Sequence, residues 1–347
     1  MNADRFTSEI DGKPVSLYHI SNNHISCYIT NYGARVVSLL INDVNSNPID
    51  VVLGFNSLDE YLNADEQYHG ATVGRYANRI AKGRFSINDV EYTLGLNNPP
   101  SCLHGGFSAM HNQVWSVSNH DSDCITLNHV SPHMEEGFPG ELSTQIVYEL
   151  KGSDLVISYR AKSTEDTIVN LTHHSYFNLN GEGTGSVLKH RLRLNSEYYT
   201  PINIDTIPTG KIDLVNGTPF DFTSKKELGA DINVEHDQLK FGFGYDHNFV
   251  VNNYEKGIVG FVAKIDGDIS RIEMEVWSSE PGVQLYTANH LTSNDMGKQG
   301  KEYSKRSAFC LETQHFPNSP NQPQFPSTLL KNEDTYTSQT EYRFGLI

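Results

Sequence analysis

A glutamate near the end of the chain is the strongest candidate for chemistry. Glu312 lies in residues 308–323, which change from apolar to polar within a few positions, as is typical of a buried strand ending at a surface. A carboxylate flanked by Phe309, Leu311 and Phe316 is not fully solvated, so it has either a partner or a reaction to perform. We therefore predict Glu312 at the end of a strand, either as a functional group or as half of a structural salt bridge.

Two glycine-rich segments offer polar side chains that a small ligand could reach. Residues 70–83 place Arg75, Asn78 and Arg79 among three glycines. Arginine supplies fixed, paired donors for hydroxyls or carboxylates, and glycine lets the backbone approach a ligand. His104 follows a turn and precedes two more glycines. The alternatives are arginines paired with surface acids and a turn histidine without a role.

A pair of adjacent histidines occupies residues 169–179, where we predict an alternating strand. Polar residues stand there at positions where an interior strand would carry Val or Ile. Neighbouring residues of a regular strand point to opposite faces, so His173 and His174 cannot both face one ligand. We expect one histidine to enter a site and the other to find a separate partner, and we do not expect the pair to bind a metal as a unit.

The elements that must position these residues are predominantly strands. Period-two alternation marks half-buried strands, and apolar runs closed by turn residues mark buried ones. Asp246 is predicted at a strand start within 242–251, and Gln284 in a strand at 282–287. The other predicted strands are residues 25–30, 36–41, 143–150, 155–161 and 271–277, of which 143–150 and 155–161 form a hairpin.

Helical signals are rare in this chain. Ser57 and Glu60 fit a capping box, which predicts one short helix that runs to about Leu62. Strands with turn punctuation and almost no helical periodicity predict an all-β fold, a large β-sandwich. We find no repeat and no clear linker in the 347 residues.

Composition excludes some partners. The chain has 26 basic and 42 acidic residues, a net charge of -16, whereas nucleic acids and anionic membranes require basic patches. We therefore expect neither as a partner.

No signal peptide or membrane span is evident. The four cysteines have no metal-ligand or redox spacing, so we expect reduced thiols and a cytoplasmic location.

Six segments together resemble the aldose 1-epimerase (galactose mutarotase) family, in the family's order and over nearly the whole chain. The resemblance implies a single domain over residues 1–347, an all-β supersandwich of the galactose mutarotase type with few short helices. It implies interconversion of the α- and β-anomers of free aldohexoses such as galactose and glucose, with no cofactor and no metal. The matching segments are residues 74–80, 104–106, 170–179, 245–248, 282–284 and 311–314.

The resemblance also implies individual roles. Glu312 would be the base, His174 the acid, and His104 would contact the ring and anomeric region of the sugar. The family has asparagine where this chain has His173. We expect His173 to support the acid or to pack behind it. The residues that would hold the sugar are Asn78, Arg79, Tyr176, Asp246 and Gln284. Ordinary pKa values of about 4.3 for Glu and about 6.5 for His would leave the base ionised and the acid protonatable near neutrality.

Three other functions fit parts of the pattern. A glycoside hydrolase would use two carboxylates, such as Glu312 and Asp246. A hexose-6-phosphate 1-epimerase of the same fold would need extra basic residues for the phosphate, for which Arg75, Lys82 and Arg84 are candidates. A non-catalytic carbohydrate-binding module would need the hydroxyl-binding residues alone. We expect a small-molecule sugar as the partner, and a monomer or homodimer.

Overall fold

The computed structural model describes residues 1–347 and confirms an all-β chain with two short α-helices, α1 (Leu58–Leu62) and α2 (Asp237–Phe241). The first strands are β1 (Ser8–Ile10), β2 (Lys13–Val15), β3 (Leu17–Ser21), β4 (Ile25–Thr30), β5 (Arg35–Asn42), β6 (Pro48–Asp50), β7 (Ala71–Val73), β8 (Arg79–Ala81), β9 (Arg84–Ile87), β10 (Val90–Thr93), β11 (Ser101–Leu103), β12 (Ser116–His120), β13 (Cys124–Ser131), β14 (Leu142–Lys151) and β15 (Asp154–Ser163).

The later strands are β16 (Thr167–Ile168), β17 (Thr172–His174), β18 (Arg191–Leu194), β19 (Tyr198–Tyr199), β20 (Asp213–Leu214), β21 (Lys226–Glu227), β22 (Asp246–Val250), β23 (Gly260–Asp266), β24 (Ile272–Ser278), β25 (Gly282–Tyr286), β26 (Thr292–Met296), β27 (Glu302–Ser304), β28 (Cys310–Gln314), β29 (Leu329–Leu330) and β30 (Tyr336–Leu346). Single 3₁₀ turns occur at Ala3–Phe6, Met110–Asn112, Glu135–Gly137 and Ser319–Asn321.

A nine-stranded antiparallel sheet forms one layer, in the order β12-β13-β14-β15-β30-β24-β23-β18-β21. It contains the β14–β15 hairpin, closed by Gly152 and Ser153, as the sequence predicted, and its middle strand is β30. Alternate residues of β14 and β24 are buried, so each strand has one face on the core. This is the period-two pattern of a sheet with one solvated side.

A five-stranded sheet, β20-β19-β22-β25-β28, and a four-stranded sheet, β3-β4-β5-β6, oppose the large one. Side chains from all three sheets meet in one cluster of 52 buried apolar residues. Leu285 of β25, Ile146 of β14 and Leu39 of β5 are examples. The core therefore lies between sheets, which confirms the predicted β-sandwich.

Helix α1 begins where the sequence predicted. Ser57 is its N-cap, and the Ser57 hydroxyl accepts the Glu60 N–H at 3.3 Å. The Glu60 carboxylate accepts the N–H of Asn56 at 2.6 Å, one residue before the N-cap position that a full capping box uses. No helix in the structure is both long and apolar enough to cross a membrane.

Two predictions of local structure were wrong. Glu312 does not end its strand but is the middle residue of β28, which continues through Thr313 to Gln314. The strand continues because Glu312, Thr313 and Gln314 all pair with β25 and are buried, and of the three only Glu312 faces the cleft. Residues 169–179 form a regular strand only at β17, and on either side Asn170 and Phe177 make isolated bridges to other segments.

Candidate active site

A polar cleft of about 260 Å³ opens beside β28. Its wall combines three carboxylates, one guanidinium, three imidazoles and three tyrosine rings. The tyrosines are Tyr286 in β25, Tyr68 in the loop before β7 and Tyr176 just after β17. The lining residues are Glu66, Tyr68, Asn78, Arg79, Asn98, Leu103, His104, His174, Tyr176, Asp246, Tyr286, His290 and Glu312. The fold thus brings seven of the eight predicted site residues onto one surface.

One face of the five-stranded sheet supplies two of the three carboxylates, Asp246 and Glu312. In β22, β25 and β28, Asn248, Gln284 and Glu312 lie directly across from one another, so their side chains share a face. Asp246 and Tyr286 are two residues away on their own strands and share that face. The sheet register therefore fixes the positions of Asp246 and Glu312 relative to each other.

A short antiparallel pair, β8–β11, supplies His104, Asn78 and Arg79. Leu103 lies across from Arg79, which places the next residue, His104, beside Asn78. The His104 main-chain N–H donates to the Asn78 carbonyl at 2.9 Å. Gly105 allows this turn because a Cβ there would lie 2.2 Å from the Gly74 carbonyl oxygen.

His174 enters the cleft from β17, which pairs with β7. The Tyr176 ring stacks on the His174 ring at 4.9 Å between centroids, and the Tyr68 ring lies 5.7 Å away and nearly parallel. The His104 ring meets His174 edge-on at 5.2 Å. These contacts fix the plane of the His174 imidazole.

The Nε2 atom of His174 lies 3.5 Å from an Oε1 of Glu312, and both side chains are buried. Burial raises the pKa of Glu312 well above its usual range, and the negative charge of Asp246 raises it further. Burial lowers the pKa of His174 to about 3. The expectation of ordinary pKa values was therefore wrong for this pair, because burial favours two uncharged side chains that share one proton.

The protonation of His104 follows from its surroundings. Burial lowers the pKa of His104 well below its ordinary value, so the ring is uncharged at neutral pH. Its Nδ1 faces the Asn78 main-chain N–H at 3.1 Å and must accept that hydrogen bond. The proton of the neutral ring is therefore on Nε2, which makes His104 a hydrogen-bond donor toward the cleft.

Ligand atoms of His104, His174 and Glu312 lie within 4.8 Å of one another, close enough for a metal ion. The sequence argument against a metal missed this cluster because its members come from three distant segments. The tautomer of His104 opposes metal binding, since Nε2 carries a proton and Nδ1 is already occupied. Metal-bound histidines instead donate their second ring nitrogen to an acceptor.

Gln284 is the predicted site residue that does not reach the wall of the cleft. It is buried behind Asp246 and donates its amide Nε2 to Asp246 Oδ1 at 2.6 Å. Asp246 Oδ2 in turn lies 3.9 Å from Nη1 of Arg79. Gln284 is therefore placed to orient Asp246 and not to touch a ligand.

His173 points away from the cleft, as alternation along β17 requires. Its Nε2 lies 2.7 Å from the Ser175 hydroxyl, and its ring packs against Tyr148 and Tyr342. Burial lowers the pKa of His173 to about 3, so it packs as a neutral ring.

Sequence reasoning missed several lining residues, above all Glu66, Tyr68, Tyr286 and His290. Three of them lie in or beside irregular segments, where no periodicity indicates direction. Tyr286 was within a predicted strand, and its two-residue spacing from Gln284 was the available signal for a shared face.

The other basic candidates do not reach the cleft. Arg75 is buried and donates to Ser131 and to the carbonyl oxygens of Pro132, Pro139 and Gly140. Arg84 is exposed and pairs with Glu91. Arg79 is the single cation on the wall.

Comparison with known proteins gives a consistent result. Residues 16–343 match the model of the family described as aldose 1-epimerase. The chain is 39% identical to rat galactose mutarotase over 335 residues, which cover 96% of this chain and 95% of that protein. It is 31% identical to Escherichia coli aldose 1-epimerase, with 96% of each chain covered. The crystal structure of a GalM/aldose epimerase homologue from C. elegans superposes with a TM-score of 0.88 at 27% identity, covering 96% of this chain and 99% of that one.

Proposed function

The chain belongs to the aldose 1-epimerase family and interconverts the anomers of aldoses, and we propose that Glu312 and His174 carry the two proton transfers of that reaction. The observation that supports this assignment is the 3.5 Å contact between the two side chains inside a cleft of sugar size. The names of the relatives support galactose as one substrate, and we propose glucose as a second.

Ring opening requires one proton to leave the C1 hydroxyl and another to reach the ring oxygen. Both oxygens are bonded to C1, so a base and an acid a few ångström apart serve both. Glu312 accepts the hydroxyl proton while protonated His174 donates to the ring oxygen, and each transfer supplies roughly 10²–10⁴ in rate. The aldehyde then rotates about C1–C2 and recloses, with the two residues in exchanged roles.

The proton count of the pair stays constant through this cycle. Glu312 and His174 hold one proton between them before ring opening, on His174, and one afterwards, on Glu312. A state with two protons would bury a net positive charge and a state with none a net negative charge, whereas the one-proton state has no net charge. Burial favours its uncharged form, with the proton on Glu312, so that proton moves to His174 when the sugar binds. The arrangement thus favours the one-proton state that the reaction needs in both directions.

The remaining wall residues hold and polarise the sugar. His104 donates from Nε2 to an oxygen at the anomeric region and cannot act as a base, because that nitrogen has no free lone pair. Asp246, Arg79 and Asn78 provide acceptors and donors for ring hydroxyls, and Tyr176 provides an aromatic surface. Alignment of this kind keeps the reacting atoms in register.

A phosphorylated substrate is not favoured. Glu66 and Asp246 face Arg79 alone, so a phosphate dianion would meet net negative charge. A polarimeter reading on freshly dissolved α-galactose and α-glucose, with galactose 6-phosphate beside them, tests this. We expect the protein to accelerate mutarotation of both free sugars strongly and of the phosphate ester little. If it accelerates mutarotation of none of them, the proposed function is contradicted.

We also propose that residues 1–347 form one domain, that the protein is a monomer or homodimer, and that it works in the cytoplasm. The shared core cluster supports a single domain, and four unpaired cysteines suit a reducing compartment. A single cooperative unfolding transition and sedimentation analysis would check the first two.

A further inference from the structure

The charges on the wall of the cleft do not balance. Glu66, Asp246 and Glu312 face one cation, Arg79. Burial lowers the pKa of all three lining histidines, so none of them adds a positive charge at neutral pH. Arg79 lies 3.9 Å from Asp246, and Glu312 shares a proton with His174, which leaves Glu66 as the carboxylate without a cationic partner in the cleft.

Glu66 is held in this position by other parts of the chain. Its Oε1 accepts the Tyr68 main-chain N–H at 3.0 Å. Asp295, from strand β26, accepts the main-chain N–H groups of Asp65 at 2.9 Å and Glu66 at 3.0 Å. The main chain around Glu66 is therefore fixed by Asp295, and its carboxylate accepts from a neutral main-chain N–H and not from a cation.

The buried cation Arg35 does not form an ion pair with Glu66. Arg35 lies beneath the same loop, but its guanidinium donates to the main-chain carbonyls of Gln67, His69 and His111. Burial raises the pKa of Glu66, and the hydrogen bond from the Tyr68 main-chain N–H lowers it by less; the charge of Asp295 raises it slightly and the charge of Arg35 lowers it least. A carboxylate fixed without a cation at the surface of a binding cleft is suited to a ligand that supplies the cation.

We propose that the cleft accepts aldoses that carry an ammonium group, the amino sugars, and that Glu66 is the counterion for that group. The proposal rests on the proposed function, because the amino sugar undergoes the same ring opening between Glu312 and His174. No atom is added to or removed from the reaction. The ammonium replaces one sugar hydroxyl and donates to the Glu66 carboxylate.

The expected gain lies in binding more than in turnover. A hydrogen bond between an ammonium and a carboxylate is about twice as strong as one between neutral groups, and exclusion of water strengthens it further. The same positive charge favours ionised Glu312 and makes it a weaker base. KM and the inhibition constant should therefore be lower for the amino sugar than for galactose, while kcat stays level or falls.

The test compares sugars that differ in one group. We would measure polarimetric KM values, and inhibition constants against galactose, at neutral pH for 2-amino-2-deoxygalactose and 6-amino-6-deoxygalactose, with galactose and 2-deoxygalactose as neutral references. We expect at least one amino sugar to be converted and to bind about tenfold more tightly than galactose. If neither amino sugar binds more tightly than galactose, the proposal is wrong, whereas failure to act on galactose would refute the proposed function itself.

Two controls assign the effect to Glu66. Glu66→Gln keeps the shape of the side chain and should reduce the preference for the amino sugar several-fold or more, while Glu91→Gln removes the same charge from the exposed surface and should not. A rise in pH that deprotonates the amine should remove the preference in the wild-type protein, which tests the charge even if Glu66→Gln fails to fold. Loss of affinity in Glu66→Gln for galactose and amino sugar in equal measure would overturn the assignment of Glu66, as would a preference that persists for the deprotonated amine.

Discussion

The two faces of β22, β25 and β28 are built from alternate residues of the same strands, yet they differ in almost every property. One face presents Asp246 and Glu312 to the cleft, with Gln284 behind Asp246, whereas the other packs Phe249, Leu285 and further apolar side chains into the core. Since the backbone and register are shared, only side-chain chemistry distinguishes a reacting surface from a packing surface.

The cleft face contains polar atoms that lack a partner. Glu312 Oε2, Gln284 Oε1, Asn248 Oδ1 and both amide atoms of Gln314 are buried without a hydrogen bond. Burying such atoms opposes folding, whereas the core face gains from every apolar contact. Substitutions on the cleft face should therefore reduce activity without loss of stability, and substitutions on the core face should do the reverse.

The largest expected effect is that of Glu312→Gln. The amide keeps the volume but cannot accept the hydroxyl proton, so kcat should fall about 10²-fold or more. The unfolding temperature should not decrease, because a buried carboxyl group with an unpartnered oxygen is replaced by a neutral one. Polarimetry and thermal unfolding would measure both. A variant that retains more than about a tenth of wild-type kcat would show that Glu312 is not the base.

The adjacent histidines His173 and His174 allow the same comparison between the two faces of one strand, β17. His174→Asn should be nearly inactive, since it removes the acid. His173→Asn should keep most of the activity and the same number of ionisations in its pH–rate profile, because its ring contacts Tyr148 and Tyr342 and not the cleft. His173→Asn should lower the free energy of unfolding by about 0.5–3 kcal/mol at most. Equal inactivity of the two variants, both folded by circular dichroism, would mean that the two rings act together.

Period-two patterns were enough to predict the sandwich, the β14–β15 hairpin and the positions of Asp246 and Gln284 in strands. They were not enough to show that Gln284 lies behind Asp246, because the depth of a side chain depends on its neighbours across the sheet. Glu66 lies in an acidic loop that resembles a solvated surface, and only its contacts with Tyr68 and Asp295 place it in the cleft. Sequence therefore predicted the strands well and the loops of the site poorly.

Residues that bind the sugar without exchanging protons should have intermediate effects. Arg79→Ala and Asp246→Ala should each raise KM, by about tenfold if one charged hydrogen bond to a hydroxyl is lost, and should lower kcat less. Gln284→Leu should change KM in the same direction but by less, because it acts through Asp246. An effect of Gln284→Leu larger than that of Asp246→Ala would show that Gln284 contacts the sugar directly.

On the core face, Leu285→Ala should change stability and leave catalysis nearly intact. Leu285 is fully buried, and removal of such a side chain typically costs about 2–5 kcal/mol of the free energy of unfolding. Denaturant unfolding would measure that loss, and kcat at a temperature well below the transition should stay within about twofold of wild type if the alternate cleft residues keep their positions. A large fall in kcat in the folded variant would show that the two faces are coupled.

The smallest expected effect is that of removing metal ions. His104, His174 and Glu312 are close enough to bind one, so chelation is a necessary test. The Asn78 main-chain N–H occupies His104 Nδ1 and leaves a proton on Nε2, so that histidine would have to lose a hydrogen bond to become a ligand. Dialysis against a chelator should therefore leave kcat and KM unchanged, and added Zn²⁺ should not raise the activity. Loss of activity on chelation, with recovery when a divalent ion is restored, would show that the cleft face contains a metal centre and not a proton-transfer pair.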